Sequence, residues 1–404
     1  MKILFTADVP LEDPTSGSEQ VLHQEAKGLA QMGMDVYAIT RQEVHPARTI
    51  RSVTGVTEGT YGASVRNMNR ALLALAIYPP KLYNRFIKDA PFKAVICHQP
   101  FNYIALLFRR NIHGLPMLYV FHSPSHEEYL ISHESRTPLR LLPQVFVRRV
   151  LERFCLKKAR RIMVLSEYMK RKVIDIHKIP GRKIFINPGG VDLERFKPSP
   201  NREFIKRRLG FPEASVHLLT VRNLEPRMGI ENLIRCMGLL REERTKIHLI
   251  LCGDGVEREN IRKLVASSDL DDRVTMTGFI PSQRLPQYYM AADFFVLPTR
   301  RLEGFGLVTP ESMACGTPVL GTPVGGTKEI LSPFDPRFLF RDTSPEAMEK
   351  GIRWAVSEYF DQKKKYDLLR IACREYAEKH YSWERHTDRL RSVLSDEMHL
   401  LPIN

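Results

Sequence analysis

Residues 301–330 read RLEGFGLVTPESMACGTPVLGTPVGGTKEI. Thr309-Pro310-Glu311 has the residue order of a helix N-cap, N1 and N2, the helix-forming SMA follows, and Cys315-Gly316-Thr317-Pro318 ends the segment. The apolar run at 317–321 then reads as a buried strand, so helix and strand alternate within thirty residues. Gly304 and Gly306 stand just ahead of the helix start. Glycines there let backbone N–H groups turn toward an anion, which the helix dipole also favours. Two carboxylates, Glu303 and Glu311, frame this turn in a chain of net charge +15. An acid in a first helical turn is favoured by the dipole alone. Beside a bound phosphate, however, a carboxylate is repelled unless it accepts hydrogen bonds from hydroxyl groups.

The same alternation runs outward in both directions. KILFTAD (2–8), KAVICHQ (93–99), PMLYVFHS (116–123), RRIMVLSE (160–167) and KIFINPGG (183–190) are buried-strand candidates that end in polar or glycine-bearing loops. FKPSPNREF (196–204) loses this periodicity and reads as a linker. A second series follows in HLLTVRNL (217–224), KIHLILCGDG (246–255), RVTMTGF (273–279), DFFVLPT (293–299) and TPVLGTPVGG (317–326). The expected fold is α/β: two doubly wound Rossmann-like domains, 1–195 and 201–381, facing across a cleft, with a C-terminal helix over about 382–404 packing back on the first. At 404 residues, two domains are also the prior from length.

MKILFTADVP lacks the apolar core and small-residue cleavage site of a secretory signal, and the apolar run near 71–77 is far too short to cross a bilayer. The six cysteines show no CxxC and no Cys/His spacing for a metal, so reduced thiols, a cytoplasmic location and no metal are expected. Charge is uneven: between Leu139 and Lys172 there are eleven Lys/Arg against two acids. On a helix, Arg149, Arg153, Lys157 and Arg160 share one side, and Val147, Val150, Leu151 and Phe154 share another. A solvated face over a core-packed helix is one reading, docking on an anionic membrane surface is the second, and nucleic acid is not expected.

E303-x7-E311, inside the stretch quoted first, resembles the signature of the family-four retaining nucleotide-sugar glycosyltransferases, which have the GT-B fold. The resemblance extends to SGSEQVL (16–22), HSPS (122–125), INPGGVDLERF (186–196), LCGDGVE (251–257) and TGFIPSQRLPQYYMAADFFVLPT (277–299), in that order along the chain. It implies that Glu311 holds the ribose hydroxyls of a donor nucleotide and Glu303 the hydroxyls of the transferred sugar. Backbone amides near Phe305, Gly306 and Leu307 would meet the diphosphate, and Gly17 would let the first loop approach it, although the usual Gly-Gly pair is Ser16-Gly17 here. Gly253, Phe279 and Ile280 fall in the nucleotide half, and His122 matches the histidine placed beside the donor sugar. His98, at the end of the preceding strand, is a candidate for the acceptor side.

RNLEPRMG (222–229) departs from that pattern. Met228 occupies the place of a lysine that would compensate the leaving diphosphate, which leaves Arg222 and Arg227 as the cations. Glu303 is the tempting nucleophile for a double displacement. Same-face attack by the acceptor hydroxyl is the route expected here, with Glu303 recognising hydroxyls. The implied activity is metal-independent, retaining transfer of a hexose or N-acetylhexosamine from a UDP-sugar, or secondly a GDP-sugar, to a lipid-linked or cell-envelope glycan at the inner face of a membrane. The alternatives are an epimerase or phosphorylase of the same fold, or a non-catalytic protein that binds polyanions or membranes.

Overall fold

The computed structural model describes residues 1–42, 49–63, 68–88, 90–107, 109–133, 138–213, 215–241, 246–360 and 362–397. It divides into two compact units, Met1–Gly189 with Trp383–Asn404, and Gly190–Ser382.

The first unit is built on β1 (Lys2–Thr6), β2 (Asp35–Gln42), β3 (Thr49–Val53), β4 (Val56–Gly62), β5 (Ala94–Cys97), β6 (Met117–Phe121), β7 (Arg161–Val164) and β8 (Ile184–Ile186). Among the described residues these form one sheet in the order β3-β4-β2-β1-β5-β6-β7-β8, parallel except for the β3–β4 hairpin. β1, β5 and β6 are buried along their whole length, which explains their unbroken apolar runs. The β3–β4 hairpin does not figure among the strands expected from sequence. Its turn, Thr54-Gly55, has φ of 49° and 86°, the left-handed pair of a two-residue hairpin, and the Thr-Gly dipeptide between alternating residues is the signal that could have found it. Chain order reverses between β1 and β5. The helix Trp383–Ser392 packs on the helix Gly17–Gln31 within this unit.

The second unit carries β9 (Val216–Val221), β10 (Ile247–Cys252), β11 (Val274–Gly278), β12 (Phe294–Leu297) and β13 (Val319–Gly321), all parallel, in the order β11-β10-β9-β12-β13. Its reversal lies between β9 and β12, and ligands of such sheets bind outside the carboxyl ends of the strands at that point. Three local expectations are corrected. Residues 196–204 are not all linker: a helix, Arg202–Arg208, begins inside them, anchored where the Arg202 guanidinium meets the buried Asp293 carboxylate and the Ala292 carbonyl. Thr309 is not an N-cap, because its helix runs Val308–Ala314 with Leu307 as the cap residue; the turn tightens one residue early when Thr309 N–H donates to Gly306 O. Finally, the helix Pro138–Lys158 does not turn Val147, Val150 and Phe154 inward. They are exposed together with Leu142 and Phe146, while Leu141, Glu152, Cys155 and Leu156 are buried.

Candidate functional site

In the second unit Arg222 directly follows β9, and Thr299 to Glu303 follow β12, so they flank the reversal of strand order. Arg222 Nη2 lies 2.7 Å from Glu303 Oε2 and 3.2 Å from Thr299 Oγ1, and that hydroxyl donates to the same carboxylate oxygen at 2.8 Å. Thr299 was not singled out from sequence; it sits in the polar stretch after an apolar strand and has no other mark. The Met228 sulfur rests on the same guanidinium. Arg227 donates to the carbonyl of Leu302 at 2.9 Å and pairs with Glu225. Leu302 has φ of 60°, a left-handed conformation that a branched residue seldom adopts. The two arginines therefore hold successive residues, one by its backbone and the other by its carboxylate. This pins the start of the glycine turn.

Backbone crowding explains why the surrounding loops are glycines. A Cβ on Gly253 (φ 142°) would stand 1.8 Å from the Arg222 carbonyl oxygen, and one on Gly325 (φ 55°) 1.9 Å from that of Glu303. Phe305 is buried with its ring edge against Tyr381, and Gly306 takes φ of 83°. The hydroxyls of Thr309 and Thr327 are buried with no hydrogen-bond partner among the described residues, each 3.5 Å from the point a Cβ on Gly306 would occupy. Leu307 is buried next to that turn. Phe279 is 59% exposed and Ile280 is buried, both just beyond β11, whose final Gly278 accepts from Gly253 N–H at 2.8 Å.

Glu311 is buried in the first turn of its helix and accepts from the Tyr289 hydroxyl at 2.9 Å. Burial raises its carboxyl to about 7, against the opposing pull of the Tyr289 hydrogen bond and the Arg195 charge. The two glutamates thus differ: Glu303 is held by a guanidinium, whereas Glu311 is short of donors.

In the first unit Gly17 opens the helix Gly17–Gln31. Ser16, which stands where the resemblance expects a glycine, is the N-cap in a reciprocal capping box with Glu19. His98 and His122 follow β5 and β6, and Nδ1 of His98 lies 3.0 Å from Nε2 of His122. The chain of contacts continues inward. His98 Nε2 is 3.2 Å from Glu25 Oε2, Glu25 Oε1 is 3.0 Å from His386 Nε2, and His386 Nδ1 is 2.8 Å from the Pro188 carbonyl. The His98–Glu25 contact is poorly aligned, yet neither atom has another hydrogen-bond partner among the described residues, so each must use the other. Burial alone would raise Glu25, but the imidazoles of His98 and His386 outweigh it and hold the carboxyl at about 2. His386 faces two acceptors, the Glu25 carboxylate and the Pro188 carbonyl, while His98 stands between that carboxylate and His122. Burial and the adjoining His98 lower the His122 imidazole to about 3. Glu25 and His386 were invisible in sequence, being 361 residues apart.

Comparison with known proteins gives this arrangement a context. Residues 15–195 match the family described as Glycosyltransferase Family 4, and residues 201–380 match Glycosyl transferases group 1. The chain is a glycosyltransferase of the group 1/family 4 type. This glycosyltransferase is 27% identical over 337 residues to a D-inositol 3-phosphate glycosyltransferase of Pseudarthrobacter chlorophenolicus, covering 80% of the chain and 78% of that relative. It is 29% identical over 215 residues to a GDP-mannose-dependent alpha-(1-6)-phosphatidylinositol monomannoside mannosyltransferase of Mycolicibacterium smegmatis, covering 52% of the chain and 55% of the relative. Its two-domain GT-B fold superposes on sucrose-phosphate synthase from Thermosynechococcus elongatus with a TM-score of 0.82 at 21% identity, over 99% of this chain and 100% of that one.

Proposed function

We propose that this glycosyltransferase moves a hexose or N-acetylhexosamine from a nucleoside-diphosphate sugar to a hydroxyl acceptor with retention of configuration and without a metal at the donor site. The observation that carries the reading is Glu311, a buried carboxylate pushed up to about 7 at the carboxyl edge of a parallel sheet. A ribose diol would supply the missing O–H donors. Glu303, oriented by Arg222, serves the sugar hydroxyls. Arg222 and Arg227, with the amides and threonine hydroxyls around Gly306, serve the diphosphate, a task at which preorganised cations and donors lower the barrier most. In the transfer step the acceptor oxygen bonds to the anomeric carbon as the bond from that carbon to the phosphate oxygen breaks. The hydroxyl proton passes to the departing phosphate. On the first unit, His122 Nδ1 accepts a hydrogen bond from a substrate hydroxyl.

UDP is the first choice of base and GDP the second; a relative's name carries GDP-mannose. A lipid-linked or cell-envelope acceptor at an anionic membrane surface is favoured by the outer face of Pro138–Lys158, where Phe146, Val150 and Phe154 are exposed beside Arg149, Arg153 and Lys157. Among the described residues no helix is long and apolar enough to cross a membrane.

A thermal-shift panel of UDP, GDP, ADP and their sugars tests the donor reading. The right nucleotide should raise the melting midpoint by about 5 °C at roughly 100 times its Kd, and Glu311→Ala should lose most of that rise. If no nucleotide stabilises the wild type, the reading fails. For the membrane, co-sedimentation with anionic vesicles should fall with salt and fall further in Phe146→Ser; equal pelleting with neutral vesicles would refute docking.

A further inference from the structure

Three helices of the first unit bring polar side chains to one buried point, separate from the residues discussed above. His126 lies on Ser125–Ile131, Glu152 on Pro138–Lys158, and His177 closes Glu167–His177. Their relative exposures are 7%, 2% and 0%. Each offers one ligand atom to this point, a ring nitrogen or a carboxylate oxygen, and the three atoms all lie within 4.8 Å of one another. Glu152 Oε2 is 3.1 Å from His177 Nε2 and 4.0 Å from His126 Nδ1. Among the described residues none of the three has a well-formed hydrogen bond, and His177 Nδ1 has none either. The second oxygen of Glu152 is occupied, accepting the Ser125 backbone N–H at 3.3 Å. Interiors rarely gather several orphaned polar atoms at one spot unless a water or an ion belongs there.

We propose that His126, Glu152 and His177 form a Zn2+ site. Two imidazoles and one carboxylate, with a fourth position left for water, are a common donor set for zinc, whereas Mg2+ and Ca2+ require oxygen ligands. Tetrahedral zinc with bonds of about 2.0–2.1 Å sets its ligands about 3.3–3.4 Å apart. The Glu152–His177 pair is already close to that spacing. The wider gaps close by movement of up to about 1.5 Å at His126, which sits in the first turn of a short helix. A metal-free ion pair of His177 with Glu152 would leave His126 Nδ1 and His177 Nδ1 unsatisfied. A cation instead satisfies three of the four orphaned atoms at once.

The ion's role follows from what its ligands join. The helix carrying His126 begins three residues after His122, so zinc would staple the loop that presents His122 to the two helices behind it. This is a bracing site, it supplies no step of the transfer, and its existence does not depend on the transfer reading.

The test uses the full-length chain without a histidine tag, stripped with a chelator, loaded with ZnCl2 and desalted. Mass spectrometry of metal content should find about one zinc per chain, and added ZnCl2 should raise the melting midpoint by about 5 °C at roughly 100 times the Kd. Both His177→Ala and His126→Phe should lose the bound zinc and the thermal response. If His177→Ala does not fold, His126→Phe carries the comparison, since its site is at a helix start. Co2+ in place of zinc should give the visible absorption of a four-coordinate ion in the wild type alone. A wild type that retains no zinc and shows no shift leaves a metal-free ion pair and overturns the proposal. Equal zinc uptake by wild type and His126→Phe overturns it as well, by placing the metal elsewhere.

Discussion

The two units solve the same problem, charge buried at the carboxyl edge of a parallel sheet, with different chemistry. The second unit uses cations: Arg222 on Glu303 at that edge, and Arg202 and Lys206 on Asp293 at the opposite end, just before β12. The first uses imidazoles, in the line His122–His98–Glu25–His386 and in the group His126–Glu152–His177. A guanidinium stays charged whatever approaches it, so it suits a diphosphate whose negative charge grows as the sugar departs. An imidazole can be neutral and is set by its neighbours to donate on one side and accept on the other, which suits a hydroxyl. The difference teaches that one unit is arranged for charge and the other for proton direction.

The largest effect should come from removing a cation. Arg222→Ala should lower kcat by about 10²–10³, with Arg222→Lys recovering only part, because a point charge cannot reach Glu303, Thr299 and phosphate together. Steady-state rates with donor and acceptor both saturating check this. An unchanged kcat would remove Arg222 from the chemistry and leave it a structural partner of Glu303.

Next comes the imidazole line. Glu25→Gln removes the anion that His98 and His386 both face while keeping the shape, and should cost about 3 kcal/mol of stability by chemical denaturation, because a buried charged cluster is broken. Activity should drop by roughly 10–100-fold, the usual scale for residues that orient another group. Nitrogen-15 spectra of the histidine rings would separate positioning from mere stability. In the wild type His122 should be neutral with its proton on Nε2, and in Glu25→Gln that assignment should be lost. An identical His122 signature in both would end the positioning role.

The smallest effect is a pH dependence confined to the second unit. Without ligand, the Glu311 carboxyl is raised to about 7 from its ordinary 4.5, so the folded state holds the proton more tightly than the unfolded one. Stability from this group is fully present below pH 4.5 and is lost as pH rises through about 7. Accepting ribose hydroxyls requires the ionised form, so nucleotide affinity should move the opposite way, falling about tenfold between pH 8 and pH 6. Glu311→Gln should bind weakly with a flat pH profile by calorimetry. A wild-type affinity that is already flat would detach Glu311 from the ribose. His122, lowered to about 3, should add no ionisation near neutral pH.

Much of this was legible in the chain. The apolar runs, each ending in glycine or polar residues, announce two parallel sheets, and the turn at 303–311 with the arginines at 222 and 227 marks the end of one of them. Such signals are local: strand burial on both faces imposes an apolar run, and a backbone crowded against another backbone imposes glycine, so both are written within a few residues. The outward face of Pro138–Lys158 could not be read that way. Its apolar residues cover more than one side, and the buried side carries Glu152 against His126, 26 residues before it, and His177, 25 residues after it. Glu25 and His386 lie 361 residues apart, and Arg222 meets Glu303 because β9 and β12 are neighbours in the sheet. Periodicity along a chain decides which residues are buried in regular elements. Which buried charges face one another is decided by the order of strands and the packing of helices, and those depend on contacts between segments that no local pattern records.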